Sequence, residues 1–144
     1  MADREDLRIV FEADLSHTDD DFIHDQLGVF NIKSTGFADY APAHLLLRDA
    51  DNKVRGGLLA YVWAKWLHVD TFWLPEDLRG QGWGTKLLEE AHRIGREKGA
   101  EAAWLDTFSW QARPFYERFG YEAVFEVSGF PPGHSRIFMQ MKPL

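Results

Sequence analysis

The 144-residue sequence predicts one mixed α/β domain, residues 1–144, with helices on both faces of a single sheet. Three observations predict it: β-forming runs alternate with helical segments, one long helix joins two apolar strands, and no linker or repeat interrupts the chain. The strand, helix and strand over residues 66–107 form a crossover, which favours a parallel pair. The other connections are short and favour antiparallel neighbours. The predicted order is β-α-β-β-β-α-β-α-β-β.

The first half of the chain supplies one helix and four strands. Leu7 to Phe11 is rich in β-forming residues and predicts the first strand. Ser16 precedes the run Asp19-Asp20-Asp21, which is typical of an N-cap followed by first-turn carboxylates, so a helix is expected up to about Ile32. The next strands are predicted at His44–Arg48, Gly56–Ala64 and Trp66–Leu74, the last two forming a hairpin or a meander.

The second half contains the strongest helical pattern. Apolar residues repeat at helical spacing from Gly82 to Lys98, and Gly99 fits the C′ position. A second, short helix should begin shortly before Pro114, which has no N–H to donate, and end at Gly120. The accompanying strands are predicted at Ala102–Thr107, Tyr121–Val127 and Arg136–Met141.

Composition excludes several classes of function. The chain has no cysteine, so disulfides, thiolate zinc sites and a cysteine nucleophile are excluded. A formal charge of −7 gives no general attraction to nucleic acid or anionic membranes, and no apolar run approaches the length of a bilayer span. The histidines show no convincing metal-ligand spacing. We therefore expect a soluble cytoplasmic protein that has no metal and binds neither nucleic acid nor membrane.

The segment from Leu78 to Thr85 indicates a phosphate site. Gly80, Gly82 and Gly84 remove the Cβ atoms that would keep a ligand from the backbone, at a helix N-terminus whose N–H groups and dipole favour negative charge. Arg79 adds a forked set of donors. The alternative is that the glycines only shape a tight turn. That explains one glycine but not two more at a helix start, where each lowers helix stability by roughly 1 kcal/mol.

Two motifs then resemble a known family. Two segments are similar to motifs of the GNAT N-acetyltransferase superfamily. The first is Arg79-x-x-Gly82-x-Gly84, after a strand, and the second, further on, is Ser109-Trp110-Gln111-Ala112-Arg113-Pro114-Phe115-Tyr116-Glu117-Arg118-Phe119-Gly120-Tyr121. The resemblance covers about residues 54–142. It implies a mixed, largely antiparallel sheet of six or seven strands, with a parallel pair around the coenzyme A site. It also implies acetyl-CoA as co-substrate, held by Trp73, Leu74, Arg79, Gly80, Gln81, Gly82, Trp83, Gly84, Thr85 and Ser109. Ser109 departs from the family's usual Asn.

The resemblance implies direct attack of an amine on the thioester. Tyr116 matches the family tyrosine that faces the sulfur, so it is the predicted general acid; alternatively, it is a core residue on the apolar side of its helix. Because side chains alternate along a strand, one face of this strand is expected to carry Trp66, His68, Asp70, Phe72 and Leu74. Asp70 is the first candidate for the base and His68 the second, directly or through water. A His–Asp pair that only braces the sheet is the alternative.

The acceptor is less determined. Asp106 ends a strand beside Phe108 and, with Asp70, would form an acidic pocket for a cationic amine; alternatively, Asp106 caps a turn. His134 is expected at the same mouth. The leading prediction is an acetyl-CoA-dependent N-acetyltransferase acting on a small molecule or peptide amine. A coenzyme A sensor without turnover and a transferase of longer acyl chains stay open. Aromatic-rich strands and an exposed last strand would suit a homodimer.

Overall fold

The computed structural model describes residues 6–144, which fall into two compact units, the first ending at Gly36 and the second spanning Phe37–Leu144. The first unit contains helix α1, His17–Thr35. The Ser16 hydroxyl accepts from the Asp19 N–H at 3.2 Å, which confirms the predicted cap. The predicted strand at Leu7–Phe11 is wrong, because this stretch forms no ladder. The single domain stays a prediction.

The second unit is built on a seven-stranded sheet. Its order is β1-β3-β4-β5-β7-β6, with β2 pairing to β3. Among the strands of residues 6–144, only β4 and β5 pair in parallel and every other pairing is antiparallel, which confirms the mixed, largely antiparallel sheet. The strands are β1 Ala41–Pro42, β2 Leu45–Arg48, β3 Val54–Trp63, β4 Trp66–Trp73, β5 Ala102–Phe108, β6 Glu122–Ser128 and β7 Ser135–Met141.

Two helices of this unit pack on one face of the sheet. Helix α2, Trp83–Glu97, forms the β4–β5 crossover, and helix α3, Arg113–Phe119, follows β5. A 3₁₀ turn, Glu76–Leu78, precedes α2. Leu88 of α2 and Tyr116 of α3 join the same buried cluster as alternate residues of the central strands. The long helix therefore stands where its apolar spacing predicts.

The β3–β4 connection is a two-residue hairpin. Ala64 and Lys65 have φ of 49° and 68°, and Trp63 pairs with Trp66. Two consecutive left-handed residues match the right-handed twist of the flanking strands. This settles the hairpin against the meander, although neither residue is a glycine or an asparagine.

A β-bulge at Asp70 corrects the expected face of β4. Leu59 pairs with Thr71 and Ala60 with Val69, so Asp70 is an extra residue on β4. The extra residue shifts by one position the alternation of side chains between the two faces of the sheet. Phe72 consequently packs toward the helices with the core, whereas His68 lies on the opposite face. The prediction that these two side chains share a face is therefore wrong.

Within residues 6–144, no helix combines the length and the apolar character needed to cross a bilayer. No three His, Asp or Glu side chains of this part of the chain come together as ligands for a metal ion.

Candidate active site

The glycine-rich loop turns sharply before α2. Gly80 and Gly82 have φ of 72° and 88°, a conformation that other residues adopt only with strain. Gly82 is the N-cap of α2 and offers no capping side chain, so the first N–H groups of the helix lack side-chain acceptors. The Arg79 Nε donates to the Leu74 main-chain oxygen at 3.0 Å, which anchors the guanidinium at the loop. The loop has the local charge and donors of a phosphate site.

A cavity of about 440 Å³ opens at this loop. Its lining includes three of the predicted glycines and two arginines, and it continues to the first turn of α3. The lining residues are Phe72, Leu74, Arg79, Gly80, Gly82, Gly84, Thr85, Ala112, Phe115, Tyr116 and Arg118. Arg118 was not among the predicted site residues; its place on the outer side of α3 gave no signal in the sequence.

Next to it, strands β4 and β5 diverge. Their parallel ladder covers only Trp66–His68 against Ala102–Trp104, whereas β3 stays paired with β4 as far as Trp73. The facing edges of the two strands beyond this ladder border a cleft of about 600 Å³, lined in part by Asp70, Trp73 and Asp106. Such a gap in a sheet exposes main-chain donors that a ligand can use.

Gln111 holds the end of β5 at this cleft. Its side-chain oxygen accepts from the Phe108 N–H at 2.9 Å and from the Thr107 hydroxyl at 3.1 Å. Gln111 was not among the predicted site residues, because a single glutamine in a turn has no distinctive pattern. Phe108 lines the cleft and stacks on Trp110 with ring centroids 4.7 Å apart.

Tyr116 borders both cavities. Its side chain is 9% exposed and its ring packs edge-on against Phe72 at 6.5 Å. Burial, with a smaller effect of the Asp106 charge, raises the pKa of Tyr116 to about 12. The phenol therefore holds its proton at neutral pH, as a general acid must.

The two candidates for the base lie in different surroundings. Asp70 is exposed and lines the cleft together with Tyr116. His68 is 9% exposed, stacks flat on Trp104 at 3.7 Å, and its Nδ1 lies 3.0 Å from the Tyr61 hydroxyl. Burial lowers the pKa of His68 despite the opposing charges of Asp70 and Asp106. The geometry brings Asp70, not His68, to the cavity that contains the tyrosine.

Asp106 is not a free carboxylate. The Nε of Arg136 donates to its Oδ1 at 2.8 Å, across the β5–β7 pair. This ion pair weakens the expected doubly acidic pocket, because among the described residues of the cleft Asp70 is the one carboxylate without a cationic partner.

Four predicted residues make contacts away from the two cavities. The Ser109 hydroxyl accepts from the Ser135 N–H at 3.1 Å and lies 3.3 Å from the His134 Nδ1. His134 also packs edge-on against Trp110 at 4.8 Å, so it stands beside the aromatic pair at the cleft. Gln81 donates to the Asp77 main-chain oxygen at 2.7 Å, which braces the loop. Trp83 lies under the Lys86 ammonium, 4.8 Å from the ring centroid.

The model of the acetyltransferase (GNAT) family matches residues 6–121. The chain belongs to this family. An acetyltransferase of Agrobacterium fabrum is 32% identical over 120 residues, which cover 83% of this chain and 88% of that protein. A crystal structure of a protein from Agrobacterium tumefaciens has a TM-score of 0.86 at 29% identity and covers 94% of this chain and 99% of the other. This GNAT chain therefore shares its fold with relatives along nearly its whole length.

One further relative carries a more specific name. A blasticidin-S acetyltransferase of Streptomyces morookaense is 37% identical over 82 residues, which are 56% of this chain and 60% of that protein. The similarity to this enzyme covers only part of both chains.

Proposed function

We propose that this GNAT protein transfers an acetyl group from acetyl-CoA directly to a primary amine of a small molecule or peptide. The observation that carries the proposal is the continuity of the glycine loop with the cleft between β4 and β5. Five residues line both cavities: Phe72, Leu74, Arg79, Ala112 and Tyr116. A pyrophosphate at the loop and a thioester beside Tyr116 then fit one extended ligand.

Binding of acetyl-CoA is assigned to the loop and its surroundings. Gly80, Gly82, Gly84 and Thr85 line the cavity where the diphosphate would lie, and Arg79 and Arg118 supply positive charge. Gly84 lines this cavity without a side chain that would occupy it, and an added Cβ would lie at an ordinary contact distance of 3.5 Å from Phe115. The main-chain edge near Trp73 and Leu74 is the proposed donor to the thioester oxygen.

Tyr116 is the proposed general acid. When the amine attacks the thioester carbonyl, the C–S bond breaks and the leaving thiolate needs a proton. The Tyr116 phenol, which is protonated at neutral pH and whose pKa burial raises further to about 12, supplies it from the wall shared by the two cavities.

Asp70 is the proposed general base. An ammonium must lose a proton before it can attack, and Asp70 is the carboxylate of the cleft that no cation neutralises among the described residues. It acts through a water where the amine stands out of direct reach. His68 ranks second, because its ring stacks on Trp104 on the sheet face opposite the helices and lines neither of the two cavities.

The acceptor is proposed to be a cationic amine that also presents a flat or apolar group. Asp70 attracts the ammonium, and the Phe108–Trp110 stack supplies an aromatic surface at the same cleft. The partial similarity to a blasticidin-S acetyltransferase supports an amine of the size of an antibiotic. A cytoplasmic location and a homodimer stay predictions from the sequence.

Thiol release from acetyl-CoA, measured against a panel of amines that includes blasticidin S, tests the proposal. Acetyl-CoA at a hundredfold excess over its Kd should raise the free energy of unfolding by about 2.7 kcal/mol. Stabilisation without thiol release from any amine would identify a coenzyme A sensor, and no stabilisation would refute the assignment of the loop.

Tyr116→Phe tests the acid. This variant should lower turnover by roughly 10²- to 10⁴-fold while the thermal shift by acetyl-CoA persists. Tyr121→Phe is the matched control, since it removes a second buried hydroxyl, one that contacts His92 at 2.7 Å and lies outside both cavities. Tyr121→Phe should lose about 1 kcal/mol of stability and keep its turnover. Equal turnover in the wild type and Tyr116→Phe would remove Tyr116 from the mechanism.

A further inference from the structure

Arg136 presents an unused pair of donors beside the acceptor cleft. It lies on β7 opposite Phe108, a residue of the cleft lining, and on the sheet face that carries Asp106. Its side chain is 32% exposed. Only Nε is engaged, with the Asp106 carboxylate. The N–H groups of Nη1 and Nη2 have no partner among residues 6–144.

The guanidinium is held in a fixed position. It lies over the rings of Phe108, Phe130 and Phe138, with 5.4, 5.1 and 5.3 Å to the ring centroids. The single Nε contact to Asp106 adds a fourth restraint. A guanidinium restrained in this way loses little conformational freedom when it binds a ligand, and its open edge matches a carboxylate in bidentate geometry.

An ion pair that only braced the sheet would leave this arrangement unexplained. Bracing is best served when the guanidinium fork meets both oxygens of the carboxylate. Here only Nε meets Asp106, at 2.8 Å, and neither terminal nitrogen is hydrogen-bonded to that carboxylate. A guanidinium edge that no protein carboxylate occupies, next to the proposed acceptor cleft, can receive an anion.

We infer that Arg136 binds a carboxylate of the acceptor, so that the acceptor is an amine that also carries a carboxylate, as in an amino acid. The inference rests on the proposed function. Asp70 and Arg136 would then receive the two opposite charges of one zwitterion, with the Phe108–Trp110 stack beside them. The chain's overall charge of −7 would disfavour an acceptor with net negative charge, and a zwitterion avoids that repulsion.

Matched acceptors test the inference. Thiol release is measured with free L-amino acids, with the corresponding L-amino-acid amides, and with simple diamines. The expected kcat/KM for the carboxylates exceeds that for the amides by roughly ten- to a hundredfold, the range for hydrogen bonds to a charged group. Equal values for acids and amides, or turnover of diamines but not of amino acids, would overturn the inference and leave the proposed transferase intact. Absence of thiol release with every amine would instead refute the transferase.

Two variants separate binding from bracing. Arg136→Gln should abolish the preference for carboxylates, mainly through KM, and Arg136→Lys should retain part of it because a point charge lacks the fork. Asp106→Asn disrupts the same ion pair but leaves the guanidinium, so it should keep or increase the preference. If Asp106→Asn loses the preference as Arg136→Gln does, Arg136 is a structural residue only. The thermal shift by acetyl-CoA verifies that each variant is folded.

Discussion

Acidification should destabilise this protein through His92. This residue of α2 is 4% exposed, and its Nε2 lies 2.7 Å from the Tyr121 hydroxyl. Burial, with a smaller effect of the Arg96 charge, lowers the pKa of His92 from 6.5 to about 4. The unfolded chain therefore binds a proton near pH 6.5 and the folded chain does so only near pH 4. Since the unfolded state binds more protons in this window, the free energy of unfolding falls as the pH falls.

The size of the effect follows from the two pKa values. At about 1.4 kcal/mol for each tenfold change in proton affinity, the interval from 6.5 to about 4 corresponds to roughly 3 kcal/mol. That is a large share of the stability of a domain of this size.

Urea denaturation of the wild type and of His92→Gln at several pH values measures this contribution. Glutamine can still hydrogen-bond to the Tyr121 hydroxyl but never becomes charged, so the variant should lose roughly 3 kcal/mol less than the wild type between pH 7 and pH 4. His17→Gln, at an exposed histidine, is the control and should follow the wild type. Parallel curves for the wild type and His92→Gln would refute the reasoning.

Three further predictions concern the loop and the cleft. Gly82→Ala places a side chain at φ 88° in the proposed diphosphate site, so the Kd for acetyl-CoA should rise at least tenfold. Gly99→Ala, at φ 93° beyond the other end of α2, is the control and should lose about 1–2 kcal/mol of stability in a denaturant titration with no change in that Kd. Asp70→Asn should lower kcat most below the pKa of the acceptor amine, and a pH–rate profile that His68→Gln alters more strongly would assign the base to His68. In Gly56→Ala, the new Cβ would lie 2.8 Å from the Trp73 main-chain oxygen, so the end of β4 should shift and kcat should fall. Gly28→Ala is the control and should behave as the wild type, because its new Cβ would approach no atom beyond its own helical turn within 4 Å.

The elements that the sequence predicted well carry their own local signals. Helix α2 begins after a glycine loop and ends at Glu97, two residues before Gly99, and its apolar residues Leu87, Leu88 and Ala91 are buried, as helical spacing requires. Ser16 caps α1 through its own hydroxyl. In each case the determining contacts lie within four residues of one another, so one sequence suffices to find them.

The predictions that failed depend on partners that are distant in sequence. Leu7 to Phe11 has the composition of a strand, but a strand exists only where another strand supplies hydrogen bonds, and local composition does not reveal the pairing. The same limit applies to Asp106. Its partner Arg136 is 30 residues away, and only the β5–β7 register brings the two together.

The bulge at Asp70 explains how one strand serves both cavities of the candidate site. Without the extra residue, Phe72 would project to the same face as His68, and Tyr116 would lose one of the rings that it packs against. With it, Phe72 packs toward α3 while Asp70 lines the cleft. The bulge also lies just beyond His68, where β4 and β5 cease to pair. The separation of the strands, the aromatic support of the proposed acid and the placement of the proposed base therefore depend on the same residue of β4, whose insertion an alternating hydrophobic pattern could not show.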